Sequence, residues 1–244
     1  MGDRSGRTDP FVGRQTAEIS GQPGVPDRAR ALPPAVWGEV TRAQDALARD
    51  RPEGTVREYV VVVDHANHAL GAVEKLRAHR QPVLHRAVSV LLFHPAGALL
   101  MQRRAAHKYH SALRWSNTCC GHPLPGESSR RAAARRLQAE MGIVAPLEPA
   151  GQLAYRLDVG DGLHEHELNQ VFVGEYSGAP EPSPDEVAEW HWLTASVARS
   201  LCRDNQHVTA WLPMVLEAVT GWATTADALP PGLAAWNRAW AAAA

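Results

Sequence analysis

Cysteine is scarce in this chain: three thiols in 244 residues, two of them adjacent at Cys119 and Cys120. Three thiols cannot build a disulfide framework, so stability has to come from a buried core, and the chain reads as intracellular. Aromatic residues make up only 6% of the chain. An excess of one charge is missing too, because 25 Lys and Arg against 26 Asp and Glu leave a formal net charge of -1. That balance excludes the basic footprint of a nucleic-acid-binding surface at whole-chain level. No uninterrupted run of about 20 apolar residues is present, so no membrane helix is expected. The start, MGDRSGRTDPF, has charges but no apolar stretch behind them and is no secretory signal. The expectation is a soluble, cytoplasmic protein with neither nucleic-acid nor membrane partners.

What is present suffices for one sizeable core, with 45% hydrophobic residues. Residues 1–55 read as an N-terminal extension, largely disordered, with one amphipathic helix over 35–49 opened by Pro33-Pro34. The domain is expected over 56–222, followed by an Ala-rich tail over 223–244 in which a further helix can form from Gly232. Residues 59–63 form a strand run with 69–73 pairing back, and 87–93 pairs with 98–102 across His94-Pro95-Ala96-Gly97. The stretch 108–125 has neither helical nor strand period, which in a compact domain points to function. A helix is predicted over 128–141, closed by Gly142. Further strands follow over 153–159, 166–173 and 189–193, and 208–219 is apolar at helical spacing. Mixed order with strands in the majority predicts an α+β sandwich of sheets flanked by helices.

The chemistry concentrates in WSNTCCGHPLPGESSRRAAARRLQAEMGI, residues 115–143. Gly121, Glu127, Arg135, Glu140 and Gly142 fit G-x5-E-x7-R-x4-E-x-G, the skeleton of a Nudix box, a loop-helix-loop that holds metal and diphosphate. The hydrolytic box carries further glutamates around its arginine, where this chain has Arg136 and Ala139 and keeps only Glu140. Hydrolysis needs carboxylates that hold metal ions and help activate water, whereas a guanidinium grips a diphosphate. Elsewhere, His79 and His85 flank a bend at Gln81-Pro82, and His122 follows the thiols. Glu165 and Glu167 alternate along HEHEL, so a strand points both to one face and His164 and His166 to the other. Imidazoles with carboxylates suit zinc, manganese, iron or magnesium, and scattered surface histidines are the alternative. Cys119 and Cys120 can be a vicinal disulfide, two packing residues, or one reactive thiol beside a buried neighbour. Lys75, Arg77, Arg103, Arg104, Lys108, Arg135 and Arg136 bracket the box as a diphosphate clamp would, although each alone reads as a solvated charge.

The run WSNTCCGHP, followed by GESSRRAAARRLQAEMG, resembles the type 1 isopentenyl-diphosphate isomerases, the non-hydrolytic branch of the Nudix superfamily. The resemblance covers residues 60–219 and implies a Nudix-type mixed-sheet sandwich flanked by helices. It implies a metal site from His79, His85, His122, Glu165 and Glu167 holding one Mn2+, Zn2+ or Mg2+. Glu140 would hold a second ion, Mg2+, that bridges to the substrate diphosphate. Cys120 and Glu167 are implied as the acid/base pair, with Tyr155 hydrogen-bonding near Glu167, and Lys75, Arg104, Lys108 and Arg136 as the diphosphate grip. The implied reaction isomerises isopentenyl to dimethylallyl diphosphate through a tertiary carbocation, in isoprenoid biosynthesis, carried out by a monomer whose partner is a small prenyl diphosphate. Gln206 stands where bacterial relatives often place a tryptophan that stacks against the cation, so another aromatic has to serve. The rival readings are a Nudix pyrophosphohydrolase, an isomerase scaffold redirected to protonate or cyclise a longer prenyl diphosphate, and a catalytically silent binding module.

Overall fold

A computed structural model of the chain describes residues 58–204 and 206–243. The extension and the helix expected over 35–49 lie outside the described residues.

The sheet is built on β3 (His85–Phe93), whose residues 87–93 are all buried. A strand covered on both faces reads as a continuous apolar run, and AVSVLLF is one, broken only by Ser89. Along one edge β3 runs parallel to β8 (Leu163–Glu175) over its full length. Its other edge is shared by three antiparallel partners: β1 (Tyr59–Val63) at the His85 end, β6 (Cys119–Gly121) in the middle and β4 (Leu99–Arg104) at the Phe93 end. β2 (Ala69–Glu74) pairs with β1, and β7 (Glu148–Gly160) with β8. β5 (Trp115–Ser116) and β9 (Val187–Leu193) both pair with β4. The helices are α1 (Lys75–Arg80), α2 (Ser129–Met141), α3 (Ala195–Asp204), α4 (Leu212–Ala223) and α5 (Pro231–Ala242).

Alternation along β3 divides the core between the two faces of the sheet. Val88, Val90, Leu92 and Cys119 pack against Ala132, Ala133, Leu137 and Met141 of α2. Leu91 and Phe93 pack on the opposite side with Val171, Val173, Leu212 and Leu216. Leu233 and Trp236 belong to this second cluster. The helix expected from Gly232 in the Ala-rich tail is present as α5, and it joins the core.

The box helix is closed at both ends by local chemistry. The Ser128 hydroxyl accepts from the Arg131 amide at 3.4 Å, and Gly142 ends the helix in the left-handed region at φ 67°. A Cβ on Gly142 would stand 2.5 Å from the Glu181 carbonyl oxygen, so both dihedral and space require glycine there.

Three details differ from expectation. The stretch 108–125 contains β5 and β6, of two and three residues, too short to show a period. The helices α1 and α3 were not expected; α1 follows β2 with no turn residue between them to announce it. β7 and β8 run for 13 residues each, well past the expected 153–159 and 166–173, and meet at Asp161-Gly162, both at positive φ. Among the described residues no helix is long and apolar enough to cross a membrane.

Candidate active site

Sheet register sets out the site. Tyr155 of β7 pairs with Glu167 of β8, and Glu167 pairs with His85 of β3, so the three stand in one row across adjacent strands. Two pleats further along β3, Ser89 pairs with Cys120 of β6. Side chains in lateral register share a face, so this face of β3 is polar at the His85 end and apolar at the Phe93 end. His79 arrives from the last turn of α1, fully buried, and His122 from the loop after β6.

One donor atom from each of His79, His85, His122 and Glu165 lies within 4.8 Å of the others. Glu167 closes the group, its Oε1 2.9 Å from His122 Nε2 and 3.8 Å from His85 Nε2. The Val83 carbonyl accepts a hydrogen bond from His85 Nδ1 at 2.7 Å, which leaves the lone pair on Nε2, 3.2 Å from His122 Nε2. His79 Nε2 and Glu165 Oε2 face each other at 3.5 Å, and both are buried without a hydrogen-bond partner. Burial, followed by the neighbouring imidazoles, holds His79 down to about 2 and His85 to about 4. Burial also puts His122 well below the usual histidine range. Burial and then Glu167 push Glu165 well above the usual carboxylate range. The histidine–glutamate contacts are therefore no ion pairs at neutral pH. Neutral imidazoles, buried carboxylate oxygens and two facing orphan atoms fit a divalent cation, whose charge would keep the imidazoles unprotonated and draw Glu165 back to the carboxylate.

The two thiols divide between the faces of the sheet. Both are free; Cys119 is fully buried in the α2 core, while Cys120 lines the pocket above the metal-ligand group. The vicinal-disulfide reading falls away. Cys120 Sγ donates to Asn117 Oδ1 at 3.1 Å and lies 3.7 Å from Ser89 Oγ. Burial, then Glu140, pushes its thiol up to about 11. Across the pocket the Tyr155 hydroxyl donates to Glu167 Oε2 at 2.5 Å and accepts from Asn169 Nδ2 at 2.7 Å. Because the carboxylate can only accept, the tyrosine proton is committed to it and the amide must present its nitrogen. That nitrogen also donates to Ser89 Oγ at 3.0 Å, so Asn169 ties the two walls together.

Lys75, Arg104, Lys108, Arg136 and Glu140 line the same pocket. Each cation is met by an internal acceptor. Lys75 pairs with Glu58 at 2.6 Å, and Lys108 pairs with Glu186. Arg136 Nη2 reaches Glu140 at 2.8 Å and Glu186 at 3.2 Å. Arg136 lies flat over Gly121, where a Cβ would come 2.8 Å from its Cγ. Arg104 sits 5.5 Å from the Trp211 ring centroid and donates to the His110 carbonyl at 3.3 Å. Glu140 stands outside the histidine group, its other oxygen accepting from Gln102 at 2.7 Å. Glu127 and Arg135 form a bidentate pair at 2.9 and 2.7 Å that clips the box loop to α2. Arg77 and Arg103 turn elsewhere, toward Gln81 and Glu189.

Sequence reasoning missed Glu58, Gln102, Tyr109, His110, Asn117, Asn169 and Glu186. Five of these neighbour residues that were singled out: Tyr109 and His110 follow Lys108, Gln102 precedes Arg103, Asn117 stands two before Cys119, and Asn169 two after Glu167 on the same strand face. Glu58 and Glu186 carry no local signal. Trp211, 4% exposed, supplies an aromatic wall, whereas Gln206 is exposed.

Known proteins agree with this architecture. Residues 83–212 match the family model described as the NUDIX domain. The chain is 47% identical over 161 residues to the isopentenyl-diphosphate Delta-isomerase of Nocardia farcinica, covering 65% of this chain and 92% of that one. It is 41% identical over 165 residues to isopentenyl-diphosphate Delta-isomerase 1 of Aromatoleum aromaticum, covering 67% and 93%. The crystal structure of DR0079 from Deinococcus radiodurans superposes with a TM-score of 0.56 at 17% identity, over 66% of this chain and 99% of that one, a likeness of fold alone. The chain belongs to the type 1 isopentenyl-diphosphate Delta-isomerases of the Nudix superfamily.

Proposed function

We propose that the protein converts isopentenyl diphosphate to dimethylallyl diphosphate by adding a proton at C4 and removing one from C2. The observation that carries this reading is the placing of Cys120 and the Tyr155–Glu167 pair in one pocket with the cationic grip. Protonating an unactivated alkene gives a tertiary carbocation, so the enzyme needs an acid, a base and a wall that offers no nucleophile. Cys120 and Glu167 are the groups that give and take the protons. A thiol raised to about 11 stays neutral at pH 7 and holds a proton at Sγ. Tyr155 fixes the orientation of Glu167, and Trp211 supplies the aromatic face that suits a developing cation. Lys75, Arg104, Lys108 and Arg136 hold the diphosphate, so binding energy far from the double bond positions C2 and C4. His79, His85, His122, Glu165 and Glu167 would hold a divalent ion that would supply fixed positive charge beside the base, and Glu140 would hold Mg2+ that would offset the charge of the diphosphate. The substrate class supports a cytoplasmic role in isoprenoid biosynthesis.

The test is proton NMR of the purified protein with isopentenyl diphosphate and Mg2+ in deuterated water. Deuterated dimethylallyl diphosphate is expected. Unchanged substrate would count against the reading, and release of phosphate would favour a pyrophosphohydrolase in its place.

A further inference from the structure

Two residues outside the acid/base pair, the grip and the ligand set touch the ligand group from one loop. Tyr109 and His110 follow Lys108 directly, in the segment between β4 and β5. Tyr109 is 42% exposed, yet its hydroxyl lies 2.7 Å from His79 Nδ1, and its ring stacks on the imidazole at 5.9 Å between centroids. His110 is buried, with Nε2 3.1 Å from Glu165 Oε1.

Hydrogen-bond capacity assigns the protons. As a ligand to a cation Glu165 is ionised and only accepts, so His110 carries its proton on Nε2 and donates it to Oε1. The Ser111 hydroxyl at 3.3 Å from His110 Nδ1 fits that tautomer, since it can donate to the remaining lone pair. With His79 Nε2 as the ligand atom, Nδ1 carries the ring proton and donates it to the Tyr109 hydroxyl. The atoms left over are His79 Nε2 and Glu165 Oε2, the two facing atoms that have no partner. The loop thus engages the outward-facing polar atom of each ligand and leaves the inward one for a cation.

We propose that Tyr109 and His110 are positioning residues for the metal site, orienting His79 and Glu165 from outside through one hydrogen bond each. The proposal rests on the reading of His79, His85, His122, Glu165 and Glu167 as metal ligands. It adds that affinity at this site is set by the loop that also carries Lys108. Partners of this kind change metal affinity by roughly 10- to 100-fold when removed.

The test uses full-length Tyr109→Phe, His110→Ala and His110→Gln proteins, titrated with Zn2+ and Mn2+ against a competing chelator. Melting of the metal-free proteins and binding of inorganic pyrophosphate with Mg2+ are measured in parallel. Tyr109→Phe and His110→Ala are expected to weaken metal binding about tenfold or more, with metal-free melting and pyrophosphate binding little changed. His110→Gln is expected to restore most of the loss, because its amide nitrogen can donate from the place of Nε2. Wild-type affinity in both Tyr109→Phe and His110→Ala would overturn the proposal while leaving the ligand set standing. A wild-type protein that binds neither ion, or binds as well after His79→Ala, would overturn the ligand set and the proposal with it.

Discussion

His85 and Glu167 face each other across the parallel register of β3 and β8, with Nε2 and Oε1 3.8 Å apart. His122 of the loop after β6 reaches Glu167 Oε1 at 2.9 Å, but His79 Nε2 of α1 and Glu165 Oε2 of β8 face each other at 3.5 Å with no hydrogen bond between them. A divalent cation bound there would join β3, β8, α1 and the loop after β6. Stripping it should therefore lower the melting temperature. At a free metal concentration of roughly 100 times Kd, the ion stabilises the fold by about 2.7 kcal/mol. Calorimetry before and after chelation, with re-addition of Zn2+ or Mn2+, checks this. An identical melting temperature in all three states would remove the ion from the ligand group.

The adjacent thiols should separate function from stability. Cys120 faces the pocket, and Cys119 is buried against Leu137 and Phe172 in the core on the other face of the sheet. Cys120→Ala is expected to abolish turnover while metal content and melting stay close to wild type. Cys119→Ala removes a packed sulfur and should cost about 1 kcal/mol of stability with kcat retained. Steady-state kinetics and denaturant melts on the pair decide it; turnover surviving in Cys120→Ala would unseat that thiol from the mechanism.

Acid should unfold the metal-free protein earlier than its carboxylates alone would dictate. Burial, then His122, brings His85 from 6.5 to about 4, and burial, then Arg104, brings His110 from 6.5 to about 3. Arg104, Lys75 and Lys108 disfavour charge on His110, whereas Glu167 favours it. Both groups titrate lower in the folded than in the unfolded chain, so the unfolded chain takes up protons first as pH falls. Stability is then full above pH 6.5 and declines as pH drops toward 4 and 3. Denaturant melts of chelated protein between pH 7.5 and 4 measure the slope. A flat profile from 6.5 to 5 would contradict the burial of these imidazoles.

Several parts of this molecule were legible before any coordinates because their signals are local. The box helix carries its own cap and stop in Ser128 and Gly142, and HEHEL places Glu165 and Glu167 on one face because the strand period is two. The gathering of His79, His85 and His122 is a different matter. It depends on α1 ending beside β3 and on β6 pairing with β3, and no spacing along the chain encodes either. There the ligand set came from family resemblance, and the structure brings those residues together. Glu186 shows the limit of local reading. It follows Asp185 in a loop with no period, yet it pairs with Lys108 and Arg136 at once. Burial alone would raise its carboxyl, but those two cations outweigh it and hold the group below the usual range.

The last helix should prove essential to the fold although it stands apart from the chemistry. Trp236 is fully buried and meets Phe93 edge-on at 5.6 Å between ring centroids. The Gly232 amide donates to Glu175 at the end of β8 with 2.7 Å, and a Cβ on Gly232 would stand 2.3 Å from the His94 carbonyl oxygen. α5 is therefore pressed against the β3–β4 turn and cannot be moved outward without exposing Phe93. Trp236→Ala is expected to cost about 3–5 kcal/mol, the range for deleting a buried large aromatic. Gly232→Ala should be destabilising as well, because its close neighbour is backbone that cannot swing aside. Kcat of whatever remains folded should match wild type, since neither residue lines the pocket. Urea melts followed by tryptophan fluorescence, with activity measured below the transition, test both halves of the expectation. A cost under about 1 kcal/mol for Trp236→Ala, ordinary for an exposed site, would make the helix peripheral to the fold.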